Sequence, residues 1–135
     1  MRSPWADLAP RPAGPEPRGE TTLTHDWLEE CARLYLAGCE ADEPLASPLM
    51  AELAGLPPTL IQVGTDEVLL SDSERLHARL RSAGVDSTLS VFPRRWHVFQ
   101  MHAGMLRDSD RALDEAAAFL RSRMRSGPRL GSAAD

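Results

Sequence analysis

Three side chains that could carry proton-transfer chemistry follow two strand-like segments of the sequence. Asp66 and Glu67 come after the apolar run Thr59–Val63, and His97 lies thirty positions beyond Glu67, after a second strand-like run. An imidazole takes and returns a proton near neutral pH, and a carboxylate that accepts its hydrogen bond fixes its tautomer and stabilises the imidazolium. The order and spacing therefore predict an acid–histidine pair, with either carboxylate as its acid.

Both loops are expected to open at one edge of a parallel sheet. The run Thr59–Val63 is typical of a buried parallel strand, and residues 85–92 alternate in polarity like a strand near a sheet edge. A strand–helix–strand unit of this length implies parallel strands and a right-handed crossover, so groups that follow the two strands meet at one edge. The helix predicted between the strands opens with a capping box formed by Ser71 and Glu74. Its inward apolar stripe consists of Leu76, Leu80 and Ala83.

The rest of the chain divides into a loop, a folded segment and a tail. Residues 1–23 hold four prolines within eight positions and are expected to form an extended loop, entered from a strand that ends at Ser3-Pro4-Trp5. Residues 24–125 are expected to be the folded segment, and residues 126–135 a disordered tail. Two strands do not form a stable doubly wound sheet alone. The predicted fold class is therefore α/β, with an incomplete sheet that is one end of a larger one.

Two further helices flank this unit in the prediction. Thr24 is a good N-cap for the first, which ends at Gly38, and the last runs from about Asp108 to Met124. Their apolar positions recur at helical spacing, which favours burial. These positions are Trp27, Leu28, Cys31, Leu34 and Tyr35 in the first helix and Leu113, Ala116, Ala117 and Leu120 in the last.

Composition excludes several classes of function. The net charge is −5 and every cation is an arginine, which argues against a surface that follows nucleic-acid phosphates. No apolar run reaches the roughly 20 residues of a membrane span, and no secretory signal opens the chain, so a cytoplasmic location is expected. Cys31 and Cys39 are expected to be reduced and structural, and no Cys/His cluster has zinc spacing. We therefore expect no metal and no cofactor.

Several blocks of the sequence resemble those of the hormone-sensitive-lipase family, the bacterial carboxylesterase and lipase branch of the α/β-hydrolases. The likeness covers about residues 3 to 122 and rests on the order and spacing of the blocks. It implies the C-terminal part of an α/β-hydrolase fold and a parent enzyme that hydrolyses small-molecule carboxylic esters through an acyl-enzyme. The blocks are residues 3–8, 44–49, 56–64, the Asp66-Glu67 pair, Ala83-Gly84-Val85 and Trp96-His97-Val98-Phe99.

The resemblance implies that His97 is the triad histidine and favours Glu67 as its acid. The family usually has Asp-Pro-Leu here, with the aspartate nine places after the proline that opens the strand and seventeen before the glycine that ends the helix. Counting from Pro58 and from Gly84, both counts fall on Glu67. Glutamate is an accepted triad acid in this fold. Asp66, which has the usual residue type one place earlier, remains the alternative acid.

The family's nucleophile is missing from the chain. No Gly-x-Ser-x-Gly elbow occurs, nor the His-Gly-Gly-Gly segment that helps to form the oxyanion hole, and Ser47, Ser71 and Ser73 stand in no such turn. Without a nucleophile there is no acyl-enzyme, and without the oxyanion donors the largest electrostatic contribution is lost. The chain alone is therefore expected to be inactive.

Two other interpretations stay open. The prolyl-oligopeptidase family has a similar C-terminal layout, although residues 44–48 and the register of Glu67 fit the lipase-like family better. The second interpretation is a non-catalytic interaction or dimerisation module. An open sheet edge can pair with another chain, and pairing with a second copy of this chain would give a homo-oligomer. The strand Thr59–Val63 is expected to lack a neighbour on one edge, which predicts a poorly folded or oligomeric product.

Other polar and aromatic side chains are assigned structural tasks. Ser71 and Asp72 are expected to cap a helix, Trp27 and Tyr35 to lie in the core, and Arg94 and Arg95 to be solvated. Trp96 is expected to pack beside the histidine loop or to line an acyl pocket. The remaining histidines are expected at the surface or in packing, and they are His25, His77 and His102.

Overall fold

The sheet is built from two parallel strands and an N-terminal strand end. The computed structural model describes residues 1–11, 15 and 17–125. β1 (Thr59–Gly64) and β2 (Ser87–Phe92) pair in parallel along their whole length. On the other edge of β1, Arg2 forms a parallel bridge with Gln62, and the Ser3 amide donates to the Gln62 carbonyl at 2.8 Å. The strand end predicted at Ser3 therefore extends the sheet.

Among the described residues, three helices surround these strands, and the predicted order of elements is confirmed. The order is helix, strand, helix, strand, helix, with short 3-10 turns at Pro48–Met50 and Phe99–His102. The predicted tail, residues 126–135, lies outside the described residues. The helices are α1 (His25–Leu36), α2 (Leu70–Ser82) and α3 (Arg107–Arg125).

Alternate residues of β1 face two different helices, which gives three layers. Ile61 is fully buried in a cluster with Leu76 and Leu80 of α2. Gln62, the next residue, points to the opposite face, where its Nε2 donates to the Ala112 carbonyl of α3 at 2.7 Å. The expectation that β1 lacks a neighbour on one edge is wrong, because residues 1–3 pair with that edge.

The predicted inward face of α1 is wrong in part. Thr24 caps the helix as predicted, with its side chain accepting from the Trp27 amide. Leu28 and Ala32 are buried, one turn apart, but Trp27 and Tyr35 are 55% and 69% exposed. Leu28 packs on loop residues such as Val68 and Leu69, so one narrow face of the helix is covered. Leu34 is exposed for the same reason.

The apolar stripe predicted for α3 is also shifted. Ala112 is fully buried, whereas Leu120, predicted to face inward, is 59% exposed. A helix of 19 residues is about 28 Å long, and strands of six residues are about 20 Å long. The strands therefore do not cover the whole of α3, and Leu120 borders an open groove beside Arg2 and Leu60.

The capping box predicted at Ser71 and Glu74 is wrong. The N-cap lies two residues earlier, at Leu69, and makes no side-chain hydrogen bond, and the helix begins at Leu70. Asp72, which was expected to cap the helix, is fully buried and bonded to a different segment. The helix start is therefore set by packing of Val68 and Leu69 under α1 rather than by a side-chain cap.

Asp72 fastens the N-terminal segment to α2. Its Oδ2 accepts from the amides of Ala6 at 2.9 Å and Asp7 at 3.1 Å. The Arg11 guanidinium donates to both carboxylate oxygens at 2.9 Å. A buried charge with this many donors is satisfied, whereas the same charge without them would be strongly unfavourable.

Asp7 adds a second ion pair between the same elements. Its Oδ2 lies 2.7 Å from Nη1 of Arg75 on α2. Burial opposes ionisation of Asp7, but the Ala9 amide and the Arg75 guanidinium outweigh it, so the pKa of Asp7 lies below its ordinary value. A carboxyl whose pKa is lowered by folding contributes stability that is lost as the pH falls through that pKa. Acid should therefore loosen this attachment.

Replacing Asp72 tests how much the attachment contributes. Asp72→Ala leaves Arg11 and two buried amides without their acceptor, so we expect the free energy of unfolding to fall by about 3–5 kcal/mol in a urea titration. Glu30→Ala is the control, because the Glu30–Arg33 pair lies on the exposed surface of α1 and should contribute nothing measurable. Equal midpoints for the two variants would contradict this assignment.

Candidate active site

Backbone hydrogen bonds join the loops that follow β1 and β2. The Thr65 amide donates to the Phe92 carbonyl and the Asp66 amide to the Arg95 carbonyl, both at 3.0 Å. The Thr65 hydroxyl accepts from the Arg94 amide at 2.7 Å. The parallel pairing thus continues past the strand ends and fixes one loop against the other.

Gly64 is the point of closest approach between these loops. A Cβ atom built on Gly64 would lie 1.9 Å from the Arg95 carbonyl oxygen, far inside van der Waals contact. Only glycine allows the backbone of residues 94–97 to come this near the end of β1. The Gly64 amide donates to the Glu67 Oε1 at 2.6 Å, so this approach also positions the acid.

The Glu67 carboxylate is buried, and its two oxygens face different hydrogen-bond donors. Its Oε1 accepts from the Ser3 hydroxyl at 2.9 Å as well as from the Gly64 amide. Its Oε2 faces Nδ1 of His97 at 3.3 Å. The Glu67 side chain is 0% exposed and that of His97 is 18% exposed, so the acid is shielded while the imidazole reaches solvent.

Asp66 does not reach the imidazole. Its Oδ1 accepts from the Thr65 hydroxyl at 3.0 Å, and its carboxylate lies against Gly19. The two adjacent acids point in different directions, and the structure brings His97 to Glu67 rather than to the alternative acid.

A left-handed turn follows the imidazole. Val98 has φ 49° and ψ 34°, a conformation that is costly for a β-branched residue. The turn sends Phe99 into the core, where it is fully buried with its ring centroid 4.9 Å from that of Phe92. His97 thus stays at the rim while its neighbour anchors the loop.

The other aromatic and basic residues near the loop have structural contacts. Trp96 packs edge-on against His102, with ring centroids 5.4 Å apart. Arg95, predicted to be solvated, instead forms an ion pair with Asp108 at 2.6 Å and is 21% exposed, because α3 begins directly beneath the loop. His77 contacts the Ser87 hydroxyl through Nδ1 at 2.9 Å, away from the Glu67–His97 pair. Trp96 and Arg95 therefore brace the loop, and His77 does not.

Ser3 is the site residue that the sequence analysis missed. It was noted only as part of a strand end. Its hydroxyl reaches Glu67 because residues 1–3 pair beside β1, a long-range contact that no local spacing reveals. The one feature of the sequence that could have indicated Ser3 was that three predicted strand ends would share one sheet edge.

Groups of metal-ligating side chains and membrane-crossing helices were sought in the described part of the chain. Within it, no three His, Cys, Asp or Glu side chains come together in a group able to hold a metal ion. Cys31 and Cys39 are free cysteines, but Cys39 is exposed, so the structural role predicted for it is wrong. Among the described helices, none combines the length and the apolar character that crossing a membrane requires.

A methyl group at Gly64 should disturb the pair from a distance. We expect Gly64→Ala to push the Arg95 carbonyl away, lowering the free energy of unfolding by about 1–3 kcal/mol and shifting the NMR signals of residues 94–98. Gly84→Ala is the control, because its Cβ would enter open space and only its φ of 77° would be strained. Unchanged loop signals in the Gly64 variant would contradict the role assigned to the close approach.

Comparisons with known proteins agree on one family. The α/β-hydrolase fold family matches residues 1–101. An acetyl-hydrolase of Streptomyces hygroscopicus is 41% identical over 122 residues, which are 89% of this chain and 41% of that protein. An esterase of Acinetobacter venetianus is 39% identical over 104 residues, 76% of this chain and 34% of that protein.

Solved structures give the same result. A hormone-sensitive lipase from a metagenome library superimposes with a TM-score of 0.85 at 36% identity, covering 91% of this chain and 43% of that one. An esterase/lipase from an uncultured bacterium gives 0.85 at 35% identity, covering 93% and 42%. The chain thus spans between about one third and two fifths of the length of these relatives. With its parallel strands and flanking helices, it belongs to the α/β-hydrolase fold family, in the branch of the hormone-sensitive-lipase esterases.

Proposed function

We propose that the chain supplies the acid and the histidine of a Ser-His-acid triad in a carboxylic-ester hydrolase. The observation that carries the proposal is the 3.3 Å contact between the His97 Nδ1 and the Oε2 of a fully buried Glu67. Hydrogen bonds of catalytic pairs are often this long before substrate binds. Relatives named acetyl-hydrolase and esterase support an ester as the substrate class.

We infer that His97 holds its proton on Nδ1 and leaves Nε2 unprotonated. An ionised carboxylate only accepts hydrogen bonds, so Nδ1 of His97 carries the proton that Glu67 receives. Nε2 then has the free lone pair, with which it takes the proton of an attacking hydroxyl. The buried carboxylate stabilises the imidazolium, which returns the proton to the leaving alcohol.

The nucleophile has to come from outside this chain. No Gly-x-Ser-x-Gly segment occurs among the 135 residues, and the serine hydroxyl and its oxyanion donors would therefore belong to another segment or polypeptide. We expect the chain alone to leave p-nitrophenyl acetate unhydrolysed. Peptidase activity is the less favoured alternative, since the names of the relatives indicate ester hydrolysis.

A chimera tests the assignment of the pair. This chain replaces the matching segment of the Streptomyces acetyl-hydrolase, and hydrolysis of p-nitrophenyl acetate is measured. We expect Glu67→Gln to lower kcat by about a thousandfold to ten-thousandfold, because an amide facing Nδ1 favours the wrong tautomer. His97→Ala should abolish turnover.

Asp66→Asn is the matched control in the same chimera. Its carboxylate has no contact with the imidazole, so kcat should stay within about twofold of the unmodified chimera. Circular dichroism and size measurements establish that each variant is folded. A large loss in Asp66→Asn with normal activity in Glu67→Gln would reverse the assignment.

A second candidate function is that of an interaction module. It is favoured by backbone groups on the outer edge of residues 1–3 that point away from β1. Because Met1 and Ser3 use their backbone groups on Gln62, the amide and carbonyl of Arg2 face away from β1. Next to them lies a groove of about 580 Å³, lined in part by Phe119 and by Leu120 of α3. A second copy of the chain would fit this edge by adding a strand.

The oligomeric state tests this second candidate. We expect a dimer in light scattering, and Leu120→Glu should convert it to a monomer because a charge in the groove opposes burial. Met101→Glu is the control, since Met101 is 81% exposed on a different surface. A monomeric unmodified chain would contradict dimerisation through this edge.

A further inference from the structure

A buried serine hydroxyl lies behind the proposed catalytic pair. Ser3 is 3% exposed, and its Oγ donates to the Glu67 Oε1 at 2.9 Å. That oxygen is on the far side of the carboxylate from His97, whose Nδ1 faces Oε2. We propose that Ser3 is a positioning residue that fixes the rotation of the Glu67 carboxylate; this inference rests on the proposed function of the pair.

The carboxylate needs two donors on Oε1 to keep one orientation. The Gly64 amide provides one at 2.6 Å, from the same strand end as Glu67 itself. Ser3 provides the second from a separate segment, on the opposite edge of β1 from β2. Two donors from different directions prevent rotation about the last side-chain bond, so Oε2 stays aimed at the imidazole.

The backbone of Ser3 is held in an unfavourable conformation where it makes this contact. Its φ is 40°, in the left-handed region that non-glycine residues seldom adopt. The amide of the same residue is fixed to the Gln62 carbonyl at 2.8 Å, so both the strand pairing and the hydroxyl contact hold it there. Strained residues of this kind persist where the surrounding structure over-determines them, and they concentrate at functional sites.

Ser47 provides a matched control for a merely structural serine. It is also fully buried, and its Oγ accepts from the Leu8 amide at 2.9 Å and donates to the Ala41 carbonyl at 2.6 Å. None of these partners contacts Glu67 or His97 in the described hydrogen bonds. Loss of the Ser47 hydroxyl should therefore reduce stability without altering the imidazole.

The experiment follows the ring nitrogens of His97 by ¹⁵N NMR in the unmodified chain. We expect a single Nδ1-protonated tautomer whose proton exchanges slowly with water. Ser3→Gly removes the hydroxyl and also suits a φ of 40°, so the variant keeps its fold. Proton exchange at Nδ1 should accelerate by about tenfold to a hundredfold, which corresponds to loss of one hydrogen bond to a charged group. Ser3→Ala should give the same result, and Ser47→Ala should not.

Glu67→Gln separates failure of this inference from failure of the proposed function. If Glu67→Gln changes the tautomer of His97 while both Ser3 variants leave exchange unaltered, Ser3 has no positioning role and the pair stands. If Glu67→Gln itself leaves the imidazole signals unchanged, the pair is wrong, and the inference about Ser3 is overturned with it.

Discussion

The buried carboxylate of Glu67 is the constraint on which the rest of the arrangement depends. A charge without exposure to water is tolerated only when donors surround it, and here they come from three places in the chain: Ser3, Gly64 and His97. None of the three segments satisfies the carboxylate alone. The N-terminal strand end, the end of β1 and the loop after β2 must therefore assemble together.

The parallel topology makes this assembly possible at low cost. Strands that run in the same direction end at the same edge, so loops distant in sequence meet without any long-range distortion. The close approach at Gly64 then brings the loop after β2 within reach of the carboxylate. Below this edge, the Asp72 carboxylate holds residues 6–11 against α2, which keeps the strand end of Ser3 in register. One buried acid organises the chemistry, and another organises the scaffold that presents it.

Local pattern was sufficient for the elements but not for their contacts. The strand–helix–strand unit, the helix after Thr24 and the shared edge follow from periodicity and turn residues, and so the α/β class was predictable. Ser3 and Asp72 were not, because each acts across more than sixty positions on a segment that no local rule relates to it. Trp27 and Leu120 were misassigned because apolar spacing predicts a face but not how much of that face the neighbouring loops and strands cover. The orientations of Asp66 and Glu67 likewise needed coordinates.

The left-handed turn at Val98 has a consequence for how this chain tolerates change. A β-branched residue there carries a backbone cost of about 1–2 kcal/mol, although its carbonyl accepts a hydrogen bond from the Met101 amide at 3.0 Å. This backbone strain lowers the stability of the loop next to the imidazole. Glycine would adopt the same angles without the strain. Laboratory selection for heat resistance thus has a target at position 98 that leaves the acid and the ring untouched.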